Sequence, residues 1–308
     1  VDRAGDVVVV GRSKAASTKA GIVIIKYKPG GAEAWAAPVR FDAEPADPNA
    51  GWVYAVSLAL DAAGDVYVAG GSTHRVSGAW IESALTLKFD AATGAKEWGQ
   101  LYDAQHGVQS YAQDIVVRGG RVVIVGSTWG MTFGADENGL LVRYEAASGA
   151  QKYWKEWGAD NPMGEWFGDV VLDGSGYVYV TGDQRRGGTG SFDRAVTLKL
   201  TPSLSKVVWK ATFLPATRSA AGWYIVRDRQ GNVYVSGVKH DARANDDFVT
   251  IKYGPGGGQK WVRVWSGGGP DNDEPHGLVL GTTGGVHAGG QTTVKDGTER
   301  AILLKYQR

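Results

Sequence analysis

Short apolar runs separated by glycine-bearing or polar segments follow one another along the whole chain, and one of them returns six times with a glycine at its close. In four copies an Asp, two further residues and a Gly introduce it: Asp2 to Gly5 before DVVVV and Gly11, Asp61 to Gly64 before DVYVA and Gly70, Asp173 to Gly176 before YVYVT and Gly182, and Asp228 to Gly231 before NVYVS and Gly237. RGGRVVIVG, ending at Gly126, and GTTGGVHAGG, ending at Gly290, keep the glycines without the Asp. The closing glycines at 11, 70, 126, 182, 237 and 290 set a period of 53 to 59 residues, the size of one unit in a repeat architecture. Asp bonds nearby backbone amides and Gly accepts positive φ, so each opening predicts a tight turn. Beyond it, successive residues face opposite sides of a strand.

After a loop of variable length comes a second apolar run that closes on a basic residue, usually followed by an aromatic: IVIIKY to Tyr27, LTLKF to Phe89, LLVRY to Tyr144, VTLKL to Leu200, VTIKY to Tyr253 and ILLKY to Tyr306. A turn and a strand bearing Trp35, Trp98, Trp154, Trp209 or Trp261 follow, 9 to 11 residues beyond the basic residue, and the sixth copy lacks this strand. A fourth run precedes each opening turn, at 54–60, 112–117, 169–172, 224–227 and 277–280. Each full repeat therefore holds four short strands, in chain order inner, second, third and outer, which is the blade of a β-propeller. The expected fold is all-β: a single propeller domain over 1–308 with about six four-stranded antiparallel blades, from approximate repeats 1–52, 53–111, 112–167, 168–222, 223–276 and 277–308. The first copy lacks most of its inner strand and the sixth its outer one, and a seventh blade would need further residues.

These motifs resemble the bacterial SBBP-type beta-propeller repeat. The fifth copy carries the likeness best, with DRQGNVYVSG at 228–237, DDFVTIKY at 246–253 and GGGQKW at 256–261. FDAATGAKEW at 89–98 and YEAASGAQKYW at 144–154 are also similar to the repeats of PQQ-type quinoprotein dehydrogenases. Both resemblances imply a propeller scaffold; neither implies an activity or a quinone, because propellers carry function in loops grafted on the repeat.

Composition narrows the function classes. The chain has 46 glycines among 308 residues and no helix-length apolar stripe, in keeping with many short strands. Thirty-three basic against 32 acidic residues leave a net charge of +1, so neither nucleic acid nor an anionic membrane is an expected partner. No cysteine is present, which removes disulfides, thiolate metal sites and Cys nucleophiles. No apolar stretch reaches the roughly 18 residues of a spanning helix, so membrane insertion is not expected. The start at Val1, close to a strand, reads as a processed or trimmed chain, and the expected setting is extracellular, periplasmic or on the cell surface. The sequence is neutral on oligomeric state.

A residue required once per blade at one position reads as architecture, so the five outer-strand tryptophans are expected to pack between sheets. Lys26, Lys88, Arg143, Lys199, Lys252 and Lys305 are expected to lock blades. Five of them follow an acid six positions earlier (Glu82, Glu137, Asp193, Asp246, Glu299), too far along a strand to pair with it directly, so acid and base are each expected to find partners on neighbouring strands or in loops and to lock blades there. Function is sought where the repeat breaks. Loops returning from outer to inner strands carry Trp52, Tyr54, His106, Tyr111, Trp166, Phe167, Trp223, Tyr224 and His276. Second-to-third loops add His74, Trp80, Trp129, Arg185, Arg186, His240 and Asp241. Both loop sets open on one face, where aromatics beside carboxylates such as Asp114 and Asp169 suit a sugar or a peptide; the competing reading has them plug the tunnel mouth.

From this set Trp52, His74, Trp80, Trp129, Trp166, Trp223, His240 and His276 are the ligand-binding candidates. Asp42 to Asp47 and Asp271, Asp273 and Glu274 offer hard oxygens for calcium without the spacing of a known loop, so calcium is the one cofactor considered. GPGGGQ at 254–259 lies between two strands and reads as a hairpin turn. No G-x-S-x-G, H-E-x-x-H or Walker pattern occurs. The leading expectation is a non-catalytic propeller that binds a glycan or a protein through its loop face. The alternatives are a polysaccharide lyase or hydrolase acting at the central tunnel, and a structural spacer in a larger surface protein.

Overall fold

The computed structural model describes residues 1–14, 20–42, 50–76, 78–102, 109–130, 137–158, 164–185, 193–215, 219–240, 245–267, 272–282 and 284–307. All regular structure among them is β, in 22 strands. The chain divides into two compact units, Val1–Ala159 and Asp160–Arg308. In the first, one sheet holds β1 (Val7–Ser13), β2 (Gly21–Tyr27) and β3 (Val39–Phe41). A second holds β4 (Ala50–Leu60), β5 (Val66–Val76), β6 (Ala79–Phe89) and β7 (Lys96–Tyr102), and a third β8 (Gln109–Arg118), β9 (Arg121–Trp129), β10 (Glu137–Glu145) and β11 (Gln151–Trp157). In the second unit, a fourth sheet holds β12 (Glu165–Leu172), β13 (Val178–Gln184), β14 (Arg194–Leu200) and β15 (Val207–Phe213). A fifth holds β16 (Ala220–Arg227), β17 (Val233–His240), β18 (Asp246–Tyr253) and β19 (Gln259–Trp265), and a sixth β20 (Glu274–Leu280), β21 (Gly285–Thr293) and β22 (Glu299–Gln307).

Each sheet is an antiparallel meander in chain order. Among the described residues the first has no inner strand and the sixth no outer one, as the strand count implied. The opening turns form as their residues dictate. Asp173 Oδ1 accepts the amides of Ser175 and Tyr177 at 2.9 and 3.0 Å, Asp61 and Asp2 do the same for their own turns, and Gly5, Gly64, Gly176 and Gly231 hold φ between 83° and 91°. The second Asp173 and Asp228 oxygens accept the Tyr179 and Tyr234 hydroxyls at 3.1 and 3.0 Å, which ties each turn to the strand it launches.

Two sequence expectations change at this level. The closing glycines do not close their strands: Gly70 lies midway along β5, and β9, β13, β17 and β21 likewise run on past theirs. Opposite each, the inner strand carries one extra residue, between Ala55 and Ser57, Ala112 and Asp114, Phe167 and Asp169, Gly222 and Tyr224, and Pro275 and Gly277. A bulge drives its backbone toward the partner strand. A Cβ on Gly70, Gly126, Gly182, Gly237 or Gly290 would run into the carbonyl group of Tyr54, Tyr111, Trp166, Ala221 or Glu274, with the carbonyl carbon at 2.8 to 2.9 Å. The glycine is therefore required by the neighbouring strand, and a turn has no part in it.

The tryptophans also divide. Trp98, Trp209 and Trp261 pair in register with the basic residues Lys88, Lys199 and Lys252, and Trp35 sits just ahead of β3 and outside any strand. Trp35, Trp98 and Trp209 donate their indole N–H to backbone carbonyls in the next repeat's third-to-outer turn: Ala91 at 3.1 Å, Ala146 at 3.0 Å and Pro255 at 3.0 Å. Their rings lie against Gly94, Gly149 and Gly257 of those turns, all at positive φ. In the third sheet the spacing is one residue longer, so Tyr153 pairs with Arg143 and Trp154 pairs with Val142 on the opposite face of the strand. Trp154 is accordingly exposed, its ring tilted at 57° to that of Tyr102 with 6.0 Å between centroids.

The core lies between successive sheets. Ile22, Ile24, Trp35, Val66 and Leu87 join the first sheet to the second; Tyr67, Trp98, Ile124 and Tyr144 join the second to the third. Tyr179, Ile225, Val249 and Tyr253 join the fourth to the fifth, and Tyr234, Phe248, Leu278 and Val286 the fifth to the sixth. The repeated bases lock the turns: Lys26 pairs with Asp2 and Asp6 at 3.0 and 3.4 Å, and Lys88 with Asp65 and Glu97 at 2.8 and 2.6 Å. Lys88, Lys199 and Lys252 also lie over the rings of Tyr67, Tyr179 and Tyr234.

Candidate functional site

The strand ends away from the Asp–Gly turns carry the nonrepeating residues, and the first unit gathers the densest set. Gly51, where a Cβ would lie 2.8 Å from Trp80, lets the start of β4 pass close to the start of β6. The Trp52 amide donates to Thr73 Oγ1 at 2.8 Å, and the hydroxyl donates back to the Trp52 carbonyl at 3.2 Å, fixing the loop backbone. The Trp52 and Trp80 rings lie 6.0 Å apart at 31°, with the Arg75 guanidinium 5.1 Å from the Trp80 centroid. Both indoles keep about two fifths of their surface in solvent, 42% and 41%, as does Trp129 at 42% at the end of β9.

Between these platforms lies a polar cluster. The Tyr54 hydroxyl donates to Glu82 Oε1, and the absence of a side chain at Gly71 makes room for both groups. Tyr111 follows on β8, its hydroxyl donating to Gln109 Oε1 at 2.6 Å. Gln109 and Glu137 each stand opposite Trp129 across β8, β9 and β10. Burial pushes the Glu82 carboxyl above its ordinary range, partly offset by the Tyr54 hydrogen bond. Burial and the charges of Glu82 and Glu137 push the Tyr111 hydroxyl up as well. His74 Nδ1 is enclosed without a hydrogen-bond partner among the described residues. This end thus offers three exposed indoles, two carboxyl groups, two phenols and a cation, a set that can stack on a flat apolar face and bond hydroxyls around it.

In the second unit the candidates are held mainly by local contacts. Trp166 folds over Gly168, leaving 2.6 Å between its ring and a Cβ there. Beside it, buried Glu165 accepts from Gln184 Nε2, and Lys210 Nζ donates to Gln184 Oε1 at 3.1 Å. Trp223 is the extra residue of its bulge and half-buried. Asp169 accepts the Ile225 amide at 2.8 Å, and in the first unit Asp114 accepts the Ser57 hydroxyl at 2.6 Å, so these two carboxylates tie adjacent inner strands together. His240 Nδ1 faces Asp246 Oδ1, whose carboxyl burial raises while His240 pulls it back. His276 is exposed in the bulge of β20. Among the calcium candidates, Asp273 is buried and already accepts from Thr292 Oγ1, from the Thr293 amide at 3.0 Å and from the Gly267 amide at 2.7 Å, while Glu274 accepts from Asn272 at 3.2 Å. No cluster of three metal-ligating side chains occurs among the described residues. His106, Arg186, Asp241 and Asp271 lie outside them.

Trp52, His74, Trp80 and Trp129 therefore belong to one unit and Trp166, Trp223, His240 and His276 to the other. Sequence reasoning set Glu82, Glu137 and Asp246 aside as blade locks. The locking acids are those of the turns and outer strand, and Glu82 and Asp246 instead bond loop-end side chains. Their signal was the acid itself, retained six residues ahead of the repeated base of the third strand.

No protein-family profile matches the chain, and no curated protein matches it in sequence. Among solved structures, a protein of unknown function from Dyadobacter fermentans matches with a TM-score of 0.60 at 12% identity, covering 100% of this chain and 93% of that one. A quinohemoprotein alcohol dehydrogenase from Pseudomonas putida matches with a TM-score of 0.51 at 11% identity, covering 94% of this chain and 54% of that one. At such identities the likeness is one of fold. The architecture is all-β and propeller-like, with sheets of three or four antiparallel strands.

Proposed function

We propose that the protein is a six-bladed, non-catalytic, secreted or cell-surface bacterial propeller that binds a glycan through the loop ends of the second and third sheets. The observation that carries this reading is the exposure of Trp52, Trp80 and Trp129 beside Glu82, Tyr54 and Gln109. Indole faces take the C–H face of a pyranose, and carboxyl, phenol and amide groups take its hydroxyls. A glycan array read with and without calcium, together with a pull-down from bacterial envelope material, tests it. Trp80→Ala and Trp129→Ala should each weaken the best array ligand about tenfold or more, as loss of a central aromatic anchor does. A protein captured with no glycan retained would move the proposal to a protein ligand; silence in both assays would end it.

Glu82 favours a second reading, glycoside hydrolysis, because a carboxyl held above its ordinary range by burial is the kind of group that protonates a leaving oxygen. Release of reducing ends from a bound polysaccharide by the wild type, lost in Glu82→Gln while binding persists, would establish it. Binding without release supports the non-catalytic form.

A further inference from the structure

The second sheet departs from the repeat at its loop end. Its β5 runs to Val76, six residues beyond Gly70, whereas β9, β13, β17 and β21 end at Trp129, Gln184, His240 and Thr293, two or three residues beyond their own closing glycines. The added length carries a rung on which Arg75 stands directly opposite Trp80 of β6. Thr73 and Glu82 form the next rung on the same face, and Gly71 and Ala84 the one after. The register therefore sets the Arg75 guanidinium against the Trp80 ring, 5.1 Å from its centroid. Stacking uses the flat face of a guanidinium and leaves its N–H edges for an acceptor. Lys26, Lys88 and Lys239 each pair with a carboxylate, but Arg75 is exposed and has no acidic partner among the described residues.

The indole pair is a platform and not a slot. Admitting a sugar ring between two indoles needs about 7 Å between their planes, twice the resting separation of carbon atoms. The Trp52 and Trp80 centroids are only 6.0 Å apart, so a ring lies on the outer surface of the pair, within reach of Arg75. Taking the ligand to be the glycan proposed above, we propose that it is anionic: a pyranose stacked on Trp52 and Trp80 presents a carboxylate or a sulfate ester to the Arg75 guanidinium. The carboxyl groups nearby do not oppose this charge. Glu137 is buried, and Glu82 is half-buried with the Tyr54 hydroxyl on its Oε1. Burial also holds the Glu82 carboxyl toward its neutral form, which lowers the repulsion an anion meets. The planar fork of Arg75 bonds a carboxylate or sulfate through two N–H groups at once, which adds geometric selection to charge.

The test measures binding of the intact 308-residue chain by biolayer interferometry to immobilised polygalacturonate, alginate, hyaluronan and dextran sulfate, each beside its carboxyl-reduced or unsulfated form. At least one acidic polymer should bind about tenfold or more tightly than its neutral counterpart, as a charge-assisted bidentate contact does. The first three polymers read a carboxylate and the last a sulfate ester. Arg75→Gln should bring the acidic and neutral forms to the same affinity without moving the melting temperature, because the side chain is exposed. Arg75→Lys, which keeps the charge and loses the fork, should keep only part of the preference. Trp80→Ala should weaken both forms. Neutral forms bound as tightly as acidic ones, or an acidic preference that survives Arg75→Gln, would overturn the proposal and leave the glycan reading standing. Retention of no polymer, charged or neutral, would remove both.

Discussion

Replacing Gly182 by alanine asks whether the repeat's most regular residue is there for the bulge. In β13 the added Cβ would stand 2.8 Å from the Trp166 carbonyl carbon and 2.9 Å from Phe167 Cα, with the carbonyl oxygen nearer still. Carbon atoms rest about 3.5 Å apart or more, so the carbonyl carbon alone requires β12 to move away by at least ~0.7 Å, and the nearer oxygen requires more. That strand is not free to move, because Asp169 accepts the Ile225 amide at 2.8 Å and Phe167 is fully buried. The strain of inserting a methyl into packed structure costs about 1–3 kcal/mol, and weakening the two ladder bonds beside the bulge adds about 1 kcal/mol each, for roughly 3–5 kcal/mol in all. Urea unfolding followed by far-UV circular dichroism gives the midpoint shift and, from the slope, any loss of cooperativity. A shift worth less than about 1 kcal/mol would refute the reasoning. So would equal damage from Gly11→Ala, whose methyl meets nothing closer than 3.9 Å.

Other changes probe the locks and the site. Trp98→Ala, which removes an indole that is 8% exposed and leaves the Ala146 carbonyl only the longer 3.5 Å bond from the Tyr67 hydroxyl, should cost about 3–5 kcal/mol, whereas Trp154→Ala, with the ring 48% exposed, should cost under about 1 kcal/mol in the same denaturation assay. Lys88→Ala leaves Asp65 and Glu97 facing each other without their shared cation and should cost about 2 kcal/mol, less than a fully buried pair because Glu97 is partly in solvent; added salt should narrow the difference. Burial holds the folded-state pKa of Glu82 above its unfolded value, so its protonated form contributes stability that is fully present below the unfolded pKa and is lost as pH rises through the folded one. Glu82→Gln should therefore melt with the wild type near pH 4 and progressively above it toward pH 7; a constant offset across that range would contradict the burial argument.

Much of the scaffold was legible because its causes are local. Asp–x–x–Gly turns, strand alternation and the 53 to 59-residue period each depend on neighbours in sequence, and they predicted the four-strand order and the two incomplete terminal sheets. Trp154 shows where that reading stops. Its spacing from Arg143 is 11 residues against 9 or 10 for the others, and that one extra residue reverses the side on which the strand presents it, so Tyr153 pairs with the basic residue instead. The loop-end site was legible only in part: its indoles stood out as departures from the repeat, while Glu82 and Glu137 looked like members of it.

The sequence alone determined the repeat length, the turns, the strand order and which aromatics depart from the pattern, since backbone preference and period are written residue by residue. Tertiary structure alone decided why the closing glycines exist, which acids lock turns and which bond loop-end side chains, and that Trp52 stacks beside Trp80 while Trp166 folds onto its own strand. Those outcomes depend on the approach of a backbone or side chain distant in sequence. The carbonyl above Gly182 comes from Trp166, on the neighbouring strand, and nothing in the residues flanking Gly182 records that it is there.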